Sequence, residues 1–78
     1  MTEFDLWLRG CELNGTLPWC LHGTGDTAVY MTKTRYEVHF REFFHDPVYH
    51  VWIGGHCEAT TLCYQTALAV YRNRGGVA

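Results

Sequence analysis

Seventy-eight residues suffice for one domain, 1–78, and a domain of this size buries only about 60% of the surface its unfolded chain exposes. Hydrophobic residues make up 47% and aromatics 15%, a composition that argues against disorder. Six basic against eight acidic residues leave a net charge of -2, and the cations are scattered over Arg9, Lys33, Arg35, Arg41, Arg72 and Arg74, which counts against a phosphate-binding stripe. No segment approaches the ~18 apolar residues of a membrane span, and "MTEFDLWLRG" lacks the charged and apolar regions of a signal peptide. A cytoplasmic protein that keeps away from membranes is expected.

From Thr2 to Gly15, Phe4, Trp7, Leu8 and Cys11 recur at i, i+3, i+4 and i+7, which predicts a short amphipathic helix. Thr2 and Asp5 form a capping-box pair, and Asn14-Gly15 supplies a left-handed stop. Gly10 weakens the helix, and a strand with Phe4, Leu6 and Leu8 on one side is the rival reading. "TLPWCLHGTGDT" follows, with Pro18 barring a helix interior and room for a short edge strand from Trp19 to His22.

In "TAVYMTKTRYEVHFREF", Val29 and Met31 alternate with Tyr30 and Thr32; after a turn near Lys33-Thr34, Tyr36, Val38 and Phe40 alternate with Glu37, His39 and Arg41. "FHDP" makes a loop, and "VYHVWIGG" returns with Tyr49, Val51 and Ile53 inward. A loop over Phe44–Pro47 pairs Phe40 with Val51 and Val38 with Ile53, and sets Arg41 opposite His50 and His39 opposite Trp52. The outer face of that hairpin then carries Tyr30, His39, Arg41, His50 and Trp52, with Glu37 beside them.

The last element is expected to be a helix beginning after Gly54-Gly55, capped near Cys57 or Thr60 and ending at "RNRGG", with the tail Arg74–Ala78 fraying. Ala59, Leu62, Cys63, Thr66, Ala67 and Val70 fall in one stripe that faces the sheet. Tyr64, Leu68 and Tyr71 form a second strip. Either the first helix covers that strip with Phe4 and Trp7, or it docks a protein partner or a second copy of the chain as a homodimer. The predicted class is α+β, with an antiparallel three-stranded meander flanked by an N-terminal and a C-terminal helix in α-β-β-β-α order.

Four cysteines and five histidines raise the question of metal. Cys20, His22, His56 and Cys57 supply the two thiolates and two imidazoles of a tetrahedral zinc site, although their spacing matches no common finger. Cys11 and Cys63 are expected in the core, where free cysteine behaves as a small hydrophobe. His56-Cys57 at a helix N-terminus favours a thiolate, but adjacent side chains rarely face each other and no orienting group is evident, so neither an enzyme nor a cofactor is expected.

The helix, three strands, helix order resembles that of double-stranded RNA-binding domains. In "GGHCEATT", however, no Lys or Arg stands where that family meets phosphates. In type, a short, acidic, aromatic-rich chain without a catalytic motif is similar to the small phage-encoded inhibitors of bacterial defence, anti-CRISPR proteins among them. The segment "YEVHFREFFHDPVYHVWIGGHCEATTLCYQTALAVYRNRG" is also similar to the end of small phage proteins of unknown role. That resemblance implies a non-enzymatic protein-binding module, working in the host-cell cytoplasm, that blocks the nucleic-acid or nuclease site of a defence complex. The alternatives are a zinc-stabilised module and a nucleic-acid-binding domain that uses the hairpin face.

Overall fold

The capping-box pair at the start of the chain does what its chemistry allows. In the computed structural model, which describes Met1–Gly75, helix α1 runs Glu3–Leu13. Thr2 Oγ1 accepts from the Asp5 N–H at 3.2 Å while the Asp5 carboxylate accepts from the Thr2 N–H at 3.1 Å. The Thr2 backbone bond, and next its hydroxyl, hold the Asp5 carboxyl below its ordinary value. At the other end Gly15 takes φ +69, and the Gly15 and Thr16 N–H groups donate to Glu12 and Cys11, a Schellman stop.

Six strands follow: β1 Trp19–Thr24, β2 Thr27–Thr32, β3 Arg35–Val38, β4 Arg41–Phe44, β5 Val48–Ile53 and β6 His56–Thr61, with helix α2 Tyr64–Asn73 closing the chain. Four of them form one antiparallel sheet in the order β1-β2-β5-β6, and β3 and β4 form a separate two-stranded ribbon. The class is α+β, as expected. The three-stranded meander and the α-β-β-β-α order are replaced by this four-plus-two arrangement, which also removes the topological likeness to double-stranded RNA-binding domains. The expected fraying of the tail concerns residues 76–78, which lie outside the described residues, and Arg74–Gly75, which form a turn.

The register follows from three two-residue hairpin turns. Gly25-Asp26 joins β1 to β2 with Gly25 at φ +58, and Gly54-Gly55 joins β5 to β6 with both residues at positive φ. His39-Phe40 joins β3 to β4, again with both at positive φ but without a glycine. The predicted pairing of Phe40 with Val51 and Val38 with Ile53 does not form. β5 pairs instead with β2, setting Tyr30 opposite His50, Val29 opposite Val51 and Ala28 opposite Trp52.

β2 and β5 are the inner strands and are buried on both faces. On one face α1 lays Phe4, Trp7 and Leu8 over Ala28, Tyr30 and Trp52. On the other, α2 lays Tyr64, Ala67, Val70 and Tyr71 over Val29, Val51, Tyr49, Ile53 and Ala59. The two helices therefore cover opposite faces.

The last helix differs from expectation in start and phase. Residues 56–61 are an edge strand, so Ala59 packs from the sheet, Leu62 is 73% exposed and Cys63 caps α2 on the surface. With Ala59 and Leu62 removed from the helix, the α2 side chains that pack on the sheet are Tyr64, Ala67, Val70 and Tyr71. Of the strip read as surplus, Tyr64 and Tyr71 thus face the core and are covered by the sheet rather than by α1, while Leu68 is half-buried outside that cluster.

Candidate functional site

Of the residues singled out on the hairpin's outer face, the structure keeps only part of the set together. Tyr30, His50 and Trp52 lie under α1, not on a solvated face: Trp52 is 3% exposed, with its ring 5.3 Å edge-on from Phe4, and the Tyr30 hydroxyl donates to the Gly25 carbonyl at 2.6 Å. Burial, and next the neighbouring Cys20, push the Tyr30 phenol up. The Trp52 indole nitrogen is buried without a hydrogen-bond partner among the described residues. His39 and Arg41 belong to the β3–β4 ribbon and are exposed.

The zinc quartet does not assemble. Cys20 and His22 sit on β1 and His56 and Cys57 on β6, the two opposite edges of the sheet. With about 4.8 Å between neighbouring strands, β1 and β6 stand about 14 Å apart. The Cys57 thiol instead lies 3.6 Å from the Ala59 carbonyl and 3.7 Å from the Thr60 hydroxyl. Cys63 makes no side-chain cap bond of ordinary geometry, yet the Thr66 backbone N–H, then the Thr66 hydroxyl and the Gln65 N–H, draw its thiol below the usual value.

A shallow cavity of about 270 Å³ opens beside α1, lined by Trp7, Gly10, Cys11, Asn14, Thr16, Thr32 and His50. His50 Nε2 lies 2.8 Å from Thr32 Oγ1, and its ring lies tilted against Trp7 with 5.0 Å between ring centres. Burial raises the Cys11 thiol, which keeps it protonated and unreactive, and lowers His50. Neutral His50 is therefore the native form. Below the usual imidazole value of 6.5 the unfolded chain takes up a proton that the native chain resists, so stability falls as the medium becomes acidic. The urea midpoint is expected to drop between about pH 7.5 and about pH 5, and His50→Gln to flatten that dependence. An unchanged slope in the variant assigns the pH dependence elsewhere.

The ribbon is the least conventional part of the molecule. The alternation of Tyr36, Val38 and Phe40, read as a core face, belongs to a strand with no core beneath it. One face carries Tyr36, Val38, Arg41 and Phe43; the other carries Arg35, Glu37, Glu42 and Phe44. All are exposed. Tyr36 stacks on Phe43 at 5.6 Å and meets the tilted His45 ring at 4.5 Å, contacts that stay within the ribbon and its root. Arg35 reaches diagonally to Glu42 at 2.9 Å, while Glu37 lies directly opposite Glu42, a like-charge pair.

At the tip, His39 and Phe40 hold φ of +50 and +66, and Phe40 is 97% exposed. Left-handed backbone costs a non-glycine residue roughly 1–2 kcal/mol, and such strain persists only where surrounding structure enforces it. The ribbon closes at its root through the His45 N–H to Thr34 carbonyl bond. There a groove of about 310 Å³ is lined by Leu17, Trp19, Lys33, Arg35, Glu42 and Phe44. The radius of gyration, 13.2 Å, exceeds the roughly 11.5 Å expected of a compact chain of this length, as a ribbon leaving the body would require.

Phe43, Phe44 and Trp19 were not singled out by the sequence reading. The adjacent Phe43 and Phe44 of "REFF" put apolar side chains on both faces of one strand, which no one-sided strand explains, whereas the sequence around Trp19 gives no such signal. Comparison with family models, curated proteins and solved structures finds no match for this chain.

Proposed function

We propose that the chain is a non-enzymatic protein-binding module and that the β3–β4 ribbon is its docking arm. The observation that carries this reading is the arm's tip, where a strained turn without glycine presents Phe40 at 97% exposure. Two further features support it. An isolated two-stranded ribbon is marginally stable in water, so one with apolar side chains on both faces gains from a covering surface. Its neighbours in the chain, by contrast, bury their aromatics under α1 and α2.

Such an arm fits the inhibitor reading drawn from the phage likeness. Laid over the nucleic-acid or nuclease site of a bacterial defence complex, it blocks that site by occupying it. The cations are few, and Arg35 is already paired with Glu42, so the arm favours protein over nucleic acid.

A photoreactive p-benzoylphenylalanine at position 40 tests the assignment in cells that express the chain. A discrete protein adduct is expected from position 40 and none from position 62, an exposed control on the link between β6 and α2. Equal labelling from both positions, or none from position 40, removes the arm from the binding surface.

A further inference from the structure

We propose that the cavity beside the second half of α1 is a binding site for a small, uncharged, flat heterocycle of the nucleobase type, and that Gly10 keeps it open. The site shares no lining residue with the groove at the arm's root, so it stands whether or not the arm docks a protein.

The cavity lies where two sets of residues meet. Trp7, Gly10, Cys11 and Asn14 recur at i, i+3, i+4 and i+7 and line one side of it. Thr32 and His50, each two residues along its strand from Tyr30 and Trp52, share the sheet face that α1 covers and line the other. Phe4, Trp7 and Leu8 seal the first half of that contact. In the second half a glycine stands where a side chain would fill the layer. Its backbone is ordinary helix, and no residue but proline is a poorer helix former. A β-carbon at Gly10 would meet nothing within 4 Å. Neither conformation nor packing therefore calls for glycine here, and its missing side chain leaves the space open.

The lining defines the occupant. Among the described residues no carboxylate, lysine or arginine lines the cavity, and burial lowers His50, so nothing there balances an ionised ligand. Trp7 supplies an aromatic wall, held in place by Phe4, Tyr30 and Trp52 at 5.2 to 6.0 Å between ring centres. A flat ring makes the most of such a wall.

The His50–Thr32 pair supplies the polar recognition. The bond between His50 Nε2 and Thr32 Oγ1 is the one side-chain bond either residue makes among the described residues. If Thr32 donates, His50 Nδ1–H remains as a donor and the Thr32 oxygen as an acceptor; if His50 donates, Nδ1 remains as an acceptor and the Thr32 hydroxyl as a donor. Either tautomer offers one donor and one acceptor, the complement of a heterocycle edge that carries both. The volume of about 270 Å³, just below the ~300 Å³ at which small-molecule pockets begin, suits one ring or two fused rings.

Adenine, titrated to about 5 mM into the isotope-labelled chain, tests the site by nuclear magnetic resonance. Saturable shifts are expected at the Trp7 indole, the Asn14 amide and the Gly10 and Thr32 backbone, with a Kd on the order of 1 mM for a ligand of about ten heavy atoms. Benzoate, as flat but charged, should bind at least about tenfold more weakly. Adenosine distinguishes the source of the ring: equal or tighter binding assigns a base carried on a sugar, weaker binding a free base, and either upholds the site.

Gly10→Ala and Gly10→Leu should weaken adenine by about threefold and at least about tenfold, while each keeps or raises the urea midpoint. No saturation by adenine, equal affinity for benzoate, an affinity unmoved in Gly10→Leu, or a lower urea midpoint in Gly10→Ala each overturns the proposal.

Discussion

Tyr71→Ala is expected to remove most of the chain's stability. Tyr71 is 1% exposed, packed with Val29, Val51 and Ala67, its ring edge-on to His22 at 5.2 Å. Truncating a buried aromatic to alanine typically costs about 3–5 kcal/mol, because contacts are lost and the cavity collapses only in part. A domain of this length holds only about 4–12 kcal/mol in total. With one of two thin cores opened, the urea midpoint should fall by at least about a quarter, and partial unfolding without denaturant is expected at the lower end of that range. Leu62→Ala, on an exposed side chain, is the matched control and should stay within about 0.5 kcal/mol. A loss below about 1 kcal/mol for Tyr71→Ala means that α2 does not seal the second face of the sheet as described.

Gly23→Ala should be nearly as damaging, by about 2–4 kcal/mol, for two reasons that add. Gly23 sits in β1 at φ +82, where any β-carbon is strained. That carbon would also lie 2.5 Å from the Thr27 carbonyl oxygen and 2.7 Å from the Tyr71 hydroxyl, distances that force the hairpin turn or α2 to move. Chemical denaturation measures the loss, and a second variant apportions it. In a Tyr71→Phe background the hydroxyl contact is gone, so Gly23→Ala should cost less there than in the native chain, while the backbone strain and the Thr27 contact remain. Equal costs in the two backgrounds place the whole effect in the backbone.

Both sites also show how far the sequence could be read. Helix α1 was legible because its apolar period, its Thr2–Asp5 box and its Asn14-Gly15 stop all agree. The turns at Gly25-Asp26 and Gly54-Gly55 carry the chemistry of tight hairpins, but Ala59, Leu62 and Cys63 mimic a helical period across β6 and mask the second. That error set the wrong phase for α2 and made core tyrosines look superfluous. The face of Tyr30 and Trp52 was misread for a different reason. Alternation suggests one buried side, yet the inner strands bury two, and the aromatic residues at the supposedly outer positions were the sign of it.

The arm was the least legible element. His39-Phe40 offers none of the usual turn residues, so "YEVHFREF" reads as an uninterrupted strand rather than as two strands folded back. Alternating apolar residues on a projecting ribbon also look the same as those on a core strand; only tertiary packing distinguishes them. An exposed ribbon and a core strand thus share one pattern, and Val38 and Phe40 belong to the first.

The placement of the arm has a consequence for how the molecule can change. Thr32 and Val48 are paired neighbours at one end of β2 and β5, so residues 33–47 leave the sheet and return to it at a single point. A detour of that kind can be lengthened, shortened or rewritten at the modest cost of altered loop closure, without moving a residue beneath either helix. The body then acts as a platform that tolerates turnover in its appendage, and chains that share the body and differ across 33–47 would be expected to keep the fold.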